Sequence, residues 1–526
     1  MLGFLTLVSQ MLEIRRSSFL LFILYASAVL PAPTNTRPSY HITPEKKWMS
    51  DPQRPFFLGD EWHLYYLYNS NFDSSNPGSG GTEWYHITST DMVHWIRRGV
   101  VMEKYKPSPP SGIILGDVET GSAVVDVNNT AGFGRNAVVA IVTQMADGVQ
   151  QQSLFYSTDN GYSFIPYQGN PVMPNPSPSA KPAFRDPKIF WDDKEGRWAM
   201  SLAESDKIGF YTSTDLKTWS YVSEFKPGNA GVDLGTLECP DLYQIDLDGD
   251  STKRTWVLAM GANGYRYNRT TGTAYWTGNW DGNGFTAPVS LPQWMDDGPD
   301  FYATVSWGNP DNRYGSLYAI AWMNNWEYAT SLPYYADFAG QQSLVREVKL
   351  KTINGSPTLV GIPIGGYEET VGSSKSVSDK TITADPASAS LPSEMEQGAY
   401  VIHATISKNE GDEGNEVRFV IKSDGTFSTT VGYDFVHSQA FLVRDLDGSA
   451  TDSMAAGPKQ VYDTVRTAPD PLGGSTVKLE IFVNDGVAVL SGLIYPNQGA
   501  NGVQVVSDTG SLTLDSFSYA ACESID

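Results

Sequence analysis

The chain has 526 residues with 36 basic and 59 acidic side chains, and a net charge of −23 at pH 7. At that length two domains are expected rather than one core, and the charge repels nucleic acid and anionic lipid surfaces alike. A composition of 40% hydrophobic and 12% aromatic residues excludes a disordered chain, while 49 glycines and 32 prolines call for many turns and hence β-structure.

Residues 1–30 read as a secretory signal peptide. Arg15 and Arg16 precede an apolar run from Phe19 to Leu30, and Ala26-Ser27-Ala28 supplies a small-residue cleavage site. Translation from Met11 would give this leader an ordinary length; a retained membrane anchor is the alternative reading. The mature protein is therefore expected to be secreted and extracellular, free of membrane once the leader is removed. Asn128, Asn268 and Asn354 each begin an Asn-x-Ser/Thr sequon, which fits a secreted glycoprotein.

Residues 40–355 hold all 14 tryptophans, from Trp48 to Trp326. Short apolar runs recur there between turn signals: Trp62 to Tyr68, Ala137 to Val142, Trp198 to Leu202, Trp256 to Met260 and Leu317 to Met323. Their length and composition predict strands. Ser89-Thr90-Asp91, Ser157-Thr158-Asp159 and Ser213-Thr214-Asp215 each precede an aromatic (Trp95, Phe164, Trp219), at intervals of 68 and 56 residues. A period of that size with several strands per unit predicts propeller blades.

Residues 356–397 are rich in Gly, Ser, Pro and Asp and read as a linker and its flanks. From 398 to 526 alternating runs return, at Tyr400 to Ser407, Val417 to Ile421, Lys478 to Val483, Val487 to Leu490 and Leu512 to Tyr519. Asn484-Asp485-Gly486 supplies a hairpin turn, and a β-sandwich is expected. Cys239 and Cys522, 283 residues apart, give no disulfide framework.

Three acids stand in aromatic, proline-punctuated segments: Asp51 in Trp48-Met49-Ser50-Asp51-Pro52-Gln53, Asp186 in Phe184-Arg185-Asp186-Pro187, and Glu238 in Glu238-Cys239-Pro240-Asp241. A following proline tends to hold its neighbour extended, which can aim a carboxylate from a strand end into a channel. Two facing carboxyls are the minimum apparatus for cleaving a glycosidic bond, one ionised and one protonated. Asp246-Leu247-Asp248-Gly249-Asp250 begins like a calcium loop, but Ser251 and Val257 stand where such a loop needs Gly and Glu, so it reads as an acidic turn. No cofactor or metal is called for.

These segments resemble the three acidic motifs of glycoside hydrolase family 32, the invertase, inulinase and levanase family. Gly121-Ser122-Ala123, Tyr275-Trp276-Thr277-Gly278-Asn279-Trp280, Asp300-Phe301-Tyr302-Ala303, Trp322-Met323-Asn324-Asn325-Trp326 and Arg346-Glu347 extend the similarity in the same order. The resemblance implies an all-β chain, a five-bladed β-propeller followed by a C-terminal β-sandwich. It also implies retaining hydrolysis of β-fructofuranosides, with a fructan or fructo-oligosaccharide as partner. By the same resemblance Asp51 would be the nucleophile, Glu238 the general acid and then base, with its pKa raised by burial and the Asp51 charge, and Asp186 the group that binds fructose hydroxyls beside Arg185. Trp48, Gln53, Arg54, Trp84, Asp117, Ser122 and Trp276 are further candidates for contact with sugar. The first motif departs from the commoner Trp-Met-Asn-Asp-Pro-Asn-Gly form at Ser50, Gln53 and Arg54, and this variant resembles levan-acting members, including levan fructotransferases. A fructotransferase forming difructose anhydride and a non-catalytic carbohydrate-binding propeller are the alternatives. Oligomeric state is left open.

Overall fold

The computed structural model describes residues 37–522, apart from 39–40, 77–78, 109–111, 228–232, 309–313, 334–337, 371, 390, 392–398, 410, 412–413, 446–447, 473–475, 480–481 and 498. The leader expected over residues 1–30 lies outside the described residues.

Each of the five apolar runs becomes the second strand of a blade: Glu61–Asn69, Ala137–Ala146, Arg197–Glu204, Asp250–Asn263 and Leu317–Trp322. Such a strand has a hydrogen-bonded neighbour on each edge and a neighbouring blade on each face, so it is apolar along most of its length. The innermost strands are Lys47–Leu58, Asp117–Asp126, Arg185–Asp192, Glu238–Leu247 and Tyr302–Gly308. Each touches the next around the axis, and the fifth returns to the first.

The Ser-Thr-Asp repeat proves to be one structural device used three times. It ends the third strand of the first three blades, Glu83–Ser89, Val149–Ser157 and Lys207–Ser213. In each copy the serine hydroxyl donates to the aspartate, at 2.9, 2.6 and 3.0 Å. The following backbone N–H groups turn in on the pair, closing the chain towards the outer strand.

The ring is closed without a covalent bond. Phe338–Ala339 pairs in parallel with Lys47 and Trp48. The Gln342 N–H donates to the Ile42 carbonyl at 2.9 Å and its side-chain amide to the Ser50 carbonyl at 2.6 Å. The start of the first blade is thus held by a segment almost three hundred residues later.

The expected linker needs correction. Ser356–Pro363 is the outer strand of the fifth blade, paired along its length with Arg346–Ile353, and Lys375–Ile382 is an edge strand of the next domain, paired with Leu512–Ala521. Both are edge strands with much of their surface in solvent; the two prolines and the glycine of the first and the polar residues of the second resembled loop.

The C-terminal domain is a sandwich of two antiparallel sheets. One contains Lys375–Ile382, Leu512–Ala521, Tyr400–Lys408 and Thr476–Leu479; the other contains Arg466–Pro469, Gln439–Val443, Thr429–Asp434, Glu416–Ser423 and Gly502–Ser507. Ile406, Val417, Phe419, Tyr433, Leu514 and Phe517 fill the space between them. The Asn484-Asp485-Gly486 turn forms as expected, all three residues at positive φ. Gly486 lies so close to the Gly361 backbone that a Cβ there would collide with it, which seats the hairpin against the propeller.

The two domains share buried charges. Asp300, fully buried, accepts from Arg444 Nη1 at 2.8 Å, the Tyr328 hydroxyl at 2.6 Å, Asn325 Nδ2 at 3.0 Å and the Leu493 N–H at 2.7 Å. Arg346 bridges Asp296 at 2.8 Å and the Ser491 hydroxyl at 2.6 Å. Removing one partner of such a pair leaves an uncompensated charge, at about 3–5 kcal/mol. Arg444→Met is therefore expected to lower unfolding stability by that order in denaturant titration; a loss below about 1 kcal/mol would mean that the pair does not hold the domains together.

Candidate active site

Every inner strand breaks register at the same end of the channel. Ser50 and Asp51 face only Leu67 on the next strand, Glu119 and Thr120 face Thr143, Asp186 and Pro187 face Leu202, Cys239 and Pro240 face Met260, and Ala303 and Thr304 face Ala321. Two residues against one is the arrangement of a β-bulge, which turns side chains that would otherwise alternate. Asp186, Cys239 and Ala303 take φ values of 62, 45 and 50°. The left-handed region costs a non-glycine residue on the order of 1–2 kcal/mol. Proline was expected to hold Asp186 extended; at this bulge the backbone takes the left-handed region instead.

The bulges gather the acids. Asp51 Oδ2 accepts from the Thr120 hydroxyl at 2.7 Å. Asp186 Oδ2 accepts the Cys239 N–H at 2.9 Å, while the Asp186 N–H donates to Thr143 Oγ1 at 2.9 Å. The Cys239 thiol stands 3.7 Å from both Asp51 Oδ2 and Asp186 Oδ2, so a carboxyl of the first blade and one of the third meet at a sulfur of the fourth. Glu238, the residue before, is gripped on both oxygens, by Arg185 Nη2 at 2.7 Å and by the Tyr302 hydroxyl. Burial, with the negative charges of Asp186, Asp51 and Glu238, pushes the Cys239 thiol up, which keeps it a neutral packing group.

Burial also decides the state of the carboxyls. It pushes Asp51 up to about 6, the Thr120 hydrogen bond pulling back and the Glu238 charge adding to the rise. It raises Asp186 to about 7 despite the neighbouring Arg185 guanidinium. A fourth acid, Glu119, is raised to about 8 by burial and then by Asp186. Below this ring Lys188 donates to Asp241 Oδ1 at 2.6 Å, and Asp241 Oδ2 accepts the Ser306 N–H and hydroxyl, each at 2.7 Å. That buried pair ties three inner strands together.

The structure brings Asp51, Asp186, Glu238 and Arg185 to one place, with Trp48 packed alongside among Phe72, Cys239, Tyr302 and Trp322. Several expected sugar contacts instead hold the walls. Gln53 is fully buried, donating to the Asp51 carbonyl at 2.9 Å and accepting the Gly121 N–H at 2.8 Å. Ser122 bridges the Pro187 carbonyl and the Ile189 N–H. Trp84 is buried, stacked on Tyr65 with its N–H on the Glu119 carbonyl, and Trp276 lies in the core between the third and fourth blades. Both indoles are large enough to fill a blade, and the packing is what uses them. Arg54 donates to the Ile189 carbonyl and lines a cavity of about 250 Å³ with Phe190, Trp191 and Trp307 of the inner strands and Trp256 of the second strand of the fourth blade. Arg54 stands three residues past Asp51 along the same inner strand. Asp117 is buried against Gly81. Sequence reasoning did not single out Thr120, Thr143, Tyr302 or Lys188; Tyr302 lies inside a quoted motif, but nothing in its spacing marks its hydroxyl.

A carboxyl whose folded pKa is raised binds its proton more tightly in the folded state. Stability is then full at low pH and is lost as pH rises through the folded value. For Glu119 the window runs from its ordinary value of 4.5 to about 8. Glu119→Gln is thus expected to raise the thermal midpoint above that of the parent at pH 8 and to leave it unchanged at pH 4, measured by calorimetry; equal midpoints at pH 8 would refute the buried, proton-holding state of Glu119.

The sequence profile of the glycosyl hydrolases family 32 N-terminal domain matches residues 41–362, and that of the family 32 C-terminal domain matches residues 367–521. The levanbiose-producing levanase of Bacillus subtilis (strain 168) is 37% identical over 502 residues, covering 93% of this chain and 91% of its own. The extracellular exo-inulinase inuE of Aspergillus ficuum is 32% identical, covering 91% of this chain and 93% of its own. The crystal structure of exo-inulinase from Aspergillus awamori superposes with a TM-score of 0.76 at 27% identity, over 94% of this chain and 99% of that one. In both its propeller and its sandwich, the chain belongs to glycosyl hydrolase family 32.

Proposed function

We propose that this chain is a secreted, retaining fructan hydrolase that cleaves β-2,6-linked levan. The observation that carries the reading is the convergence of Asp51, Asp186 and Glu238 from three blades around Cys239 and Arg185. Levan as substrate is supported by the relatives named levanase, the second of them, from the same Bacillus subtilis strain, 35% identical over 497 residues. Export is supported by the leader-like residues 1–30 and by the extracellular inulinase relatives.

In this reading the fructosyl ring lies over Asp51, whose ionised oxygen attacks the anomeric carbon. As that bond forms, the bond to the leaving oxygen breaks, and Glu238 gives its proton to that oxygen. A water then enters; Glu238 takes its proton, the water oxygen bonds to the anomeric carbon, and the Asp51 carboxylate leaves unchanged. Arg185 and Tyr302 hold Glu238 in line through both halves. Asp186, fixed by the Cys239 N–H, accepts hydrogen bonds from fructose hydroxyls as positive charge grows on the ring.

The first test is the product pattern of the purified chain on levan, inulin and sucrose separately. Soluble fructose or short levan oligomers from levan support the proposal; a non-reducing difructose anhydride would reassign the chain as a transferase, and no product from any substrate would leave only a binding role. Asp51→Asn and Glu238→Gln are each expected to keep the fold and lose turnover by at least about 10³-fold, and a fully active Asp51→Asn would remove the nucleophile from the scheme. The Glu238→Gln variant should still release an activated leaving group that needs no proton. Because Asp51 must be ionised to attack and is pushed up to about 6, kcat/KM is expected to fall as pH drops below that value; a flat profile down to pH 4 would contradict it.

A further inference from the structure

The cavity that Arg54 lines lies along the channel from the acids. The inner-strand stretches in its wall, Phe190 to Asp192, Leu242 to Gln244 and Ser306 to Gly308, follow Asp186, Glu238 and Tyr302 respectively by four to six residues. That is about 13–20 Å of strand. The buried Lys188–Asp241 pair stands at the level between, so the cavity, of about 250 Å³, is a place apart from the catalytic pocket.

One face of the fourth blade supplies its polar groups. Gln244 pairs with Trp256, and Asp246 with Arg254, across the first two strands, and residues directly opposite share a face. Arg254 Nε donates to Asp246 Oδ1 at 2.8 Å, and its Cζ lies 3.6 Å from the centroid of the Tyr314 ring. The guanidinium is thus fixed in plane while its two terminal nitrogens stay unused. Those nitrogens, the Gln244 side-chain amide and the Trp256 indole N–H make no hydrogen bond to any described residue, and all three side chains line the cavity half-buried.

The chemistry of the lining selects the ligand. Trp191 and Trp256 offer flat apolar faces, and rings beside unused hydrogen-bonding groups are the means by which proteins hold sugars. No ion is asked for: Arg254 is answered by Asp246 and Lys194 by Glu195, while Asp192 and Asp193 stand in the same wall as Arg54. A charge-balanced, donor-rich, aromatic wall suits a neutral polyhydroxylated molecule. We propose that this cavity is a second carbohydrate site, which holds a short saccharide on Trp256, Gln244 and Arg254 independently of the catalytic acids. The inference goes beyond the proposed function and does not depend on what the acids do.

Titration calorimetry of the Asp51→Asn protein with fructose and with sucrose tests it, because turnover is then suppressed. Two independent sites are expected, one of which weakens about tenfold when Trp256→Ala removes a ring–sugar stack and by a smaller factor in Gln244→Ala. Trp256 also packs on Phe190 and Trp280, so its removal can unsettle the blade; Gln244→Ala breaks no hydrogen bond and is expected to keep the parent's thermal midpoint. In the otherwise unaltered chain Gln244→Ala should change kcat/KM on the shortest fructo-oligosaccharide that the parent cleaves by less than about twofold. A single sugar site, or two that both survive Gln244→Ala and Trp256→Ala unchanged, would overturn the proposal. So would binding of citrate in place of either sugar at the site that Gln244→Ala weakens, since the cavity would then select an anion. A parent that cleaves no fructan yet binds sugar through Gln244 would overturn the proposed function and leave this site standing.

Discussion

Carboxyl groups repel one another and lose hydration when buried, so a site that collects Asp51, Asp186, Glu238 and Glu119 must be imposed on them by the frame. The register break does this in all five inner strands at one level of the channel. Each break inserts one residue, and the inserted residue cannot return to the ladder without unpairing the strands behind it. Those strands are the most apolar in the molecule. The acids are held together by the unwillingness of the blades to come apart, with Arg185 as the guanidinium that offsets part of the repulsion.

That division of labour explains what the sequence made legible. The second strand of each blade announced itself, because burial on both faces leaves an unbroken apolar run. The three acids were found through their motifs, since aromatic and proline neighbours mark them as unlike surface. Inner strands such as Asp117–Asp126 did not read as strands, because their mouth ends carry polar site residues. The outer strand Ser356–Pro363 reads as linker because two prolines and a glycine punctuate it. The indoles were the hardest to place: Trp48, Trp84 and Trp276 are chemically alike, and whether one walls a pocket or fills a blade depends on neighbours distant in sequence. Thr120 and Tyr302 are beyond reach for the same reason, their meaning lying in hydrogen bonds to residues 69 and 64 positions away.

The sandwich meets the propeller through charge as well as apolar surface. Asp296 and Asp300 enter from the segment leading into the fifth blade and are answered by Arg346 of that blade and by Arg444 and the backbone of residues 491–493 across the boundary. A buried ion pair is a poor source of net stability but a strict one for register. The contact therefore fixes how the fifth blade sits, and through Tyr302, two residues after Asp300, it reaches the grip on Glu238.

The closure of the ring has a consequence for the order of events in the cell. Asp51, Asp186 and Glu238 all precede the segment around Phe338 and Gln342 that fastens the first blade to the last. A chain still emerging from the ribosome can therefore display every acid of the site while the channel that aligns them stands open. Hydrolytic competence arrives late in synthesis, after the residues that perform it have long been made.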